Sequence, residues 1–515
     1  MFDKLDSLGH NKGLLLAFAI CFFVRLIPEL LSFPYPIGWD TIYYAYRIDA
    51  GVLFGFWDTV FSSWILYAIL MFLADLTQLT SFMLLKIVGP LLYGGVAAGI
   101  FFVAWKKLDW SVTKSLLTSI VFTFSLAALA VSWQFYRNIF GVMVLLFAIP
   151  LIKNEISWKE TAALSFLGLL IAGGHELSTI SLFFIVFGYF ILSVIKEEKI
   201  PSRLFVALIP ALFVFFGNFF LISPYAVQYP TNLVWLHDSV WAHPANLFFL
   251  TDYLSVNTPI ESYSNYFDLF SQVGSLFVLL YAALLPLIAV GIFKDRTLNI
   301  WTFLLLVGSF SCLIVPTAAL LLWTRWMLML IAPFTYFAAN GLWKVTKSLE
   351  GIPVSRYLGW LKITKKIGYA LLLIFLIMGG LFMIYPLSDD GTGLFNWSGS
   401  FKYFPSTMQT SSVPLQDTQG VIEAYNWLNN NMDNNSSLLV HDTFEFWTML
   451  YLDKDNVAFL FNSDIEAASD LAVTEGFDSA YFVWWNEDIG WYNFEISNEW
   501  DSVYEYGRIS VYKIF

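Results

Sequence analysis

Charge is scarce in this chain. Only 13% of its 515 residues are Asp, Glu, Lys or Arg, whereas a water-soluble protein carries about a quarter. A soluble globular enzyme is therefore excluded over most of the length. Cysteine is scarcer still: Cys21 and Cys312 both fall inside apolar runs, which excludes a disulfide framework and a cysteine-based metal centre. A cleavable leader is not expected either. Residues 13–33 are long enough to span a bilayer and have no small-x-small site before the next polar stretch, so they read as a first membrane helix.

What the chain has instead is apolar blocks, nearly all before residue 386. A helix crossing the hydrocarbon core needs about 20 apolar residues, because an unpaired backbone group in lipid is costly. The expected spans are 13–33, 83–105, 112–131, 138–152, 160–174, 177–195, 203–223, 272–293, 298–322, 327–343 and 367–386. Segments 138–152 and 160–174 are short for a full crossing, and the latter has a Gly173-Gly174 tip. The apolar stretch 60–76 is read as lying on the outer surface. This placement puts 18 of the 27 basic residues and 9 of the 39 acidic ones on one side. That bias makes this side, and the N-terminus with it, cytoplasmic.

The predicted fold class is mostly α: a polytopic helical membrane domain of about eleven spans over 1–386, with outer loops 34–82 and 224–271. A linker over 387–420 and a small extracytoplasmic α/β domain over 421–515 follow. In that domain Val421, Tyr425 and Leu428 share a helical face, and 444–452 and 465–473 read as helices. Strands are expected at 438–440, 457–461 and 481–485, with a hairpin of 502–506 and 509–514 through Gly507. Alternating helices and strands predict a partly parallel sheet. From residue 387 onward, 20 acidic residues face 4 basic ones, which reads as a solubilising surface or as a face for a cationic partner. Three N-glycosylation triplets begin at Asn396, Asn434 and Asn435.

Four polar groups at the outer turns need a reason, because ionisable residues at a membrane are expensive. The first is Arg25 and Glu29, one helical turn apart and able to pair, followed by Gly38-Trp39-Asp40-Thr41. Asp40 reads either as a carboxylate facing a cavity or as a cap for the helix starting near Thr41. The second is Arg137 in Tyr136-Arg137-Asn138, a snorkelling anchor or a phosphate ligand. The third is His175-Glu176 after the Gly173-Gly174 tip, and the fourth is Arg325 between two tryptophans. All four fall on one side, whereas independent anchors should fall on both. Loop 224–271 adds His237, Asp238, His243, Asp252 and Asp268. It is long for a plain connection. A metal site from His237, Asp238 and His243 has no known ligand spacing behind it.

The order of these features resembles the GT-C superfamily of integral-membrane glycosyltransferases. The resemblance rests on Arg25…Pro28-Glu29…Pro36-Ile37-Gly38-Trp39-Asp40-Thr41-Ile42-Tyr43-Tyr44, on the surface helix at 60–76, and on Tyr136-Arg137-Asn138 and His175-Glu176 heading spans, as in archaeal members. It covers about the first 345 residues. The resemblance implies transfer of a sugar from a polyprenyl-phosphate-linked donor, on the extracytoplasmic face, to a glycan, lipid or protein acceptor. Asp40 would be the catalytic base. Arg25, Glu29, Arg137, His175, Glu176 and Arg325 would serve the substrate and its phosphate. His237, Asp238, His441 and Asp442 would be open to acceptor contacts, as would Glu445 beside the last two, while 441–445 reads equally as the end of a strand and the cap of the next helix. Membrane lipid is the other implied partner, and nothing points to nucleic acid. No cofactor is implied, and a divalent metal stays open.

Two other readings stand beside this one. An oligosaccharyltransferase-like protein would carry a WWDYG-like motif where this chain has Val440-His441-Asp442-Thr443-Phe444-Glu445-Phe446-Trp447, with Trp484-Trp485 only later. A flippase or transporter would show internal repeats and ionisable residues near the midplane, and neither pattern is evident.

Overall fold

The computed structural model describes residues 6–51, 64–198, 201–221, 232–235, 266–315, 323–347, 370–381, 413–461, 464–487 and 496–515. The regular elements described up to residue 221 are helical: α1 (His10–Leu31), α2 (Thr41–Asp49), α3 (Ile65–Thr77), α4 (Ser81–Lys106), α5 (Val112–Thr123), α6 (Leu126–Gln134), α7 (Tyr136–Ala148), α8 (Trp158–Ala172), α9 (Glu176–Ile195) and α10 (Ser202–Leu221). Beyond the short strand β1 (Leu233–Trp235) come α11 (Tyr266–Tyr281), α12 (Leu285–Gly291), α13 (Arg296–Phe310), α14 (Trp323–Met329), α15 (Ile331–Lys347) and α16 (Ala370–Leu381). Local chemistry sets several starts. Thr80, Ser111 and Asp295 each accept a hydrogen bond from a backbone N–H in the first turn that follows. Ser157 and Glu160 form a reciprocal capping box at α8, which satisfies donors the helix itself leaves open.

Each expected span overlaps a helix among the described residues, and the apolar stretch 60–76 overlaps α3. The count of eleven crossings is not reproduced by length and apolarity. Among the described residues four helices are long and apolar enough to cross a membrane, or six if each of two bent pairs is one span. The chain turns by 64° between α5 and α6, and by 71° between α11 and α12. Helices of 16 residues or fewer reach only about 24 Å, short of a hydrocarbon core about 30 Å thick.

The C-terminal residues form an α/β unit. After a 3-10 turn (Leu415–Asp417) come α17 (Thr418–Asn431), β2 (Ser436–His441), α18 (Glu445–Tyr451), β3 (Val457–Phe461), α19 (Ile465–Thr474), β4 (Ser479–Trp485), β5 (Asp501–Tyr506) and β6 (Ile509–Lys513). The six-stranded sheet has the order β1-β3-β2-β4-β6-β5. Strands β1, β3, β2 and β4 are parallel, and β6 and β5 complete it as an antiparallel pair. The hairpin turns at Gly507, whose φ of 59° favours glycine.

Two features of this unit differ from the sequence reading. Val413 is fully buried in its core, so the unit begins ahead of residue 421. Its outermost strand, β1, comes from the 224–271 segment, more than 200 residues upstream. Leu233, Val234 and Trp235 pair with Ala458, Phe459 and Leu460, and Asn232 anchors the join through its own carbonyl and the carbonyl of Asn456.

The α/β unit is seated on α2. Ile42 is buried in the unit's own core, a burial that contributes about 1.5–3 kcal/mol. Tyr43 meets Phe446 with ring centroids 5.3 Å apart, and the Tyr35 hydroxyl donates to the Gln419 side chain. One short helix, α2, thus belongs to both packing units, and Asp40 stands at its start.

Candidate active site

Asp40 is placed by a turn that only one backbone arrangement closes. Gly38 has φ 119°, and a Cβ there would collide with the Trp133 carbonyl. The Thr41 hydroxyl bonds to the Ile37 carbonyl at 2.7 Å and the Trp133 carbonyl at 3.1 Å. The turn is therefore pinned to the end of α6, and the break between α6 and α7 faces it.

Asp40 occupies the N-cap position of α2, but its side chain makes no capping hydrogen bond. The carboxylate has no hydrogen bond or ion pair with any described residue, and it is half-buried. Burial pushes its proton affinity above the ordinary carboxylate value, and Arg325 and then Arg137 pull it back. Both guanidinium groups are thus close enough for their charge to reach it.

Arg137 opens α7, directly after the break at Phe135. Its backbone N–H donates to the Tyr44 hydroxyl at 3.2 Å. Tyr44 stacks on Tyr136 at 5.3 Å and leans on Tyr67 at 5.6 Å. The Arg137 guanidinium lies 6.0 Å from the Tyr67 ring and 2.6 Å from the Glu176 carboxylate. Arg325, on α14, lies over the Phe135 ring at 4.5 Å. Among the described residues Arg325 has no carboxylate partner, and its Nε is buried without a hydrogen bond.

His175 precedes α9 and is 4% exposed, with Nδ1 unpartnered among the described residues. A Cβ on Gly141 would come within 2.8 Å of the His175 Cβ, so α7 and the 173–176 tip are in close contact. The same tip receives α3, because the Ile65 N–H bonds to the Gly173 carbonyl at 3.1 Å. Asp40, Arg137, His175, Glu176 and Arg325, which are far apart in sequence, therefore gather around the α6–α7 break.

Arg25 and Glu29 pair with each other instead. Both are fully buried on α1, 2.8 Å apart, and they close a network with α4. Lys86 lies 3.2 Å from Glu29 and bonds to Ser32 and the Tyr35 carbonyl, and Arg25 Nε donates to the Ser132 hydroxyl at 2.8 Å. This group holds the first loop down onto α4 and α6. His237, Asp238, His243 and Asp252 lie outside the described residues, and Asp268 sits in the first turn of α11. No group of three or more metal-ligating side chains occurs among the described residues.

His441 and Asp442 form the turn after β2. His441 Nδ1 accepts the Thr443 N–H and lies 2.8 Å from the Asp442 carboxylate. Trp484 packs against the His441 ring at 5.1 Å, and Trp485 against Phe444 at 4.9 Å. The tandem tryptophans, distant in sequence, thus buttress the 441–445 turn. Glu445 follows that turn, and its neighbour Phe446 packs on Tyr43 of α2; burial first, and then Asp442 and Asp40, raise its pKa to about 8.

Sequence reasoning missed Lys86 of the Arg25–Glu29 network and Tyr67 beside Arg137. Lys86 was hidden in an apolar helix, although a lysine there is itself a signal. Tyr67 carries no motif, and Tyr44 closes the first-loop motif without a role of its own. Glu445 reads from the sequence, with His441 and Asp442, as an acceptor contact or as part of a strand end and helix cap, and its place next to the contact with α2 comes only with the fold.

No protein-family model matches the chain, and no curated protein matches it. Solved structures are similar to it, two of them over nearly its whole length. One is the crystal structure of ArnT from Cupriavidus metallidurans bound to undecaprenyl phosphate, with TM-score 0.49 and 13% identity over 97% of each chain. The other is the cryo-EM structure of the arabinofuranosyltransferase AftD from mycobacteria, with TM-score 0.47 and 12% identity. It covers 96% of this chain, which spans only 40% of AftD. Likeness at this level assigns no role to any residue here.

Proposed function

We propose that the chain is a membrane-bound glycosyltransferase that moves a sugar from a polyprenyl-phosphate donor to an acceptor hydroxyl on the extracytoplasmic face. The observation that carries this reading is Asp40: a carboxylate at a cap position that does not cap, lying within the fields of Arg325 and Arg137.

The chemistry follows from those three groups. The acceptor oxygen attacks the anomeric carbon as the bond from that carbon to the phosphate oxygen breaks. The electron pair leaves with the phosphate, and the hydroxyl proton passes to Asp40. Negative charge grows on the phosphate, and a fixed guanidinium stabilises it more in the transition state than in the ground state. Arg325 suits that place, since among the described residues it has no carboxylate partner. Arg137 is tied to Glu176 and acts as the second, fixed cation. A single displacement with one base inverts the anomeric configuration.

The test uses the purified full chain with radiolabelled polyprenyl-phosphate sugars and a mixed pool of acceptors. Wild-type protein is expected to transfer label, and Asp40→Asn to transfer it about 10²–10⁴-fold more slowly. Equal rates would remove Asp40 as the base, and no transfer from any donor would remove the reading. Sidedness is tested separately by labelling Lys107→Cys and Asn434→Cys in sealed cells, where only the second is expected to react from outside.

A further inference from the structure

The α/β unit presents one carboxylate to the helical part that the reaction above does not use. Glu445 has no hydrogen bond or ion pair with any described residue, and it is half-buried. Its position is fixed from both sides. The 441–444 turn before it is backed by Trp484 and Trp485. Phe446 after it meets Tyr43, three residues beyond Asp40. A carboxyl held this firmly beside a second one would be expected to find a partner within the protein, and neither does among the described residues.

We propose that Glu445 is an acceptor-binding residue, which with Asp40 brackets a sugar hydroxyl at the seam between the α/β unit and α2. The claim rests on the transfer reading for the identity of the reaction, but not for the existence of the binding site. A carbohydrate fits the surroundings better than an acyl chain. Half-exposed Tyr43 and Tyr46 lie 6.4 Å apart, with Phe446 beside Tyr43, and such rings cover the CH face of a pyranose while carboxyl groups take its hydroxyls.

The two carboxyls have different duties. Glu445 lies high enough in pKa to hold its proton at neutral pH, so its O–H donates to an acceptor oxygen. Asp40, next to two guanidinium groups, receives the proton of the attacking hydroxyl. Substrate is then completed by two units: donor phosphate at the arginines of the helical part, acceptor across the seam.

The experiment measures binding of mannobiose, chitobiose and maltotriose to the detergent-solubilised full chain by tryptophan fluorescence, and acceptor and donor KM wherever transfer is seen. At least one oligosaccharide is expected to bind wild type. Glu445→Ala is expected to weaken it at least about tenfold and to raise acceptor KM with donor KM unchanged, and Glu445→Gln to restore most of the loss. Absence of binding to wild type, or equal binding to Glu445→Ala, overturns the proposal. Where the alanine variant does not fold, dicyclohexylcarbodiimide labelling of wild type decides. Modification of Glu445 that the oligosaccharide suppresses supports the proposal, and absent or indifferent modification overturns it. Glu445-dependent sugar binding without any donor turnover would refute the transfer reading and leave this site standing.

Discussion

Lys86 on α4 reaches Glu29 on α1 at 3.2 Å, and Glu29 is at the same time 2.8 Å from Arg25. One carboxylate is therefore shared by two buried cations, and the group stays net positive. Removing Glu29 leaves two charges facing each other without compensation, whereas removing Lys86 leaves a balanced pair.

The first prediction follows from that asymmetry. Glu29→Gln is expected to cost about 3–5 kcal/mol, and Lys86→Met distinctly less. Thermal denaturation of the purified protein orders the two, and a larger loss for Lys86→Met would contradict the assignment.

Gly38 carries a second prediction. Its φ of 119° and the Trp133 carbonyl beside it leave no room for a Cβ. Gly38→Ala is expected to lose at least about 1–3 kcal/mol from backbone strain alone and to displace Asp40. Transfer should fall far more than the melting temperature accounts for. Gly51 also has positive φ but open space around it, so Gly51→Ala serves as the strain-only control.

The two arginines should separate in kinetics. Arg325→Ala is expected to reduce kcat by about 10²-fold or more through lost stabilisation of the leaving phosphate. Arg325→Lys should recover only part, because an ammonium lacks the planar fork. Arg137→Ala also releases Glu176, so its loss should shrink in the Arg137→Ala/Glu176→Gln double variant. A double-mutant cycle measures that coupling.

Glu445 predicts a pH dependence with a definite sign. Its pKa is raised from 4.5 to about 8, by burial first and then by Asp442 and Asp40. The folded chain keeps a proton that the unfolded chain has already lost, so stability falls as pH rises through that window and levels off above it. Asp40 is shifted in the same direction and adds with the same sign. Melting temperatures of wild type are expected to drop between about pH 5 and 9, and Glu445→Gln to flatten the upper part of that drop.

Much of the fold was legible because it depends on short-range pattern. Apolar blocks of about 15 to 25 residues marked helices, and the Gly507 hairpin and the strands β2, β3 and β4 fell where pattern and turn residues put them. Stretches 112–131 and 272–293 each read as one span and are each two helices set at a steep angle. Hydropathy records what a segment dissolves in and carries no information on direction. Strand β1 was invisible for another reason: three residues carry no usable alternation, and its partner β3 lies more than 200 residues away.

The candidate site divides the same way. Arg25 and Glu29 could be paired from their i,i+4 spacing, which helix geometry alone imposes, and Asp40, Arg137, His175, Glu176 and Arg325 could be named from the expense of polar groups at apolar turns. Which of them spend their charge inside the protein and which keep it for a ligand was decided only by folding. The sequence by itself determined that this chain is built of apolar helices with an acidic α/β unit attached, since composition and periodicity act locally. Only the tertiary structure decided that Glu29 is shared between Arg25 and Lys86, that Arg325 is left without a carboxylate among the described residues, and that the helix Glu445 begins packs on the helix Asp40 begins. Those outcomes depend on through-space distances between helices that no spacing along the chain encodes.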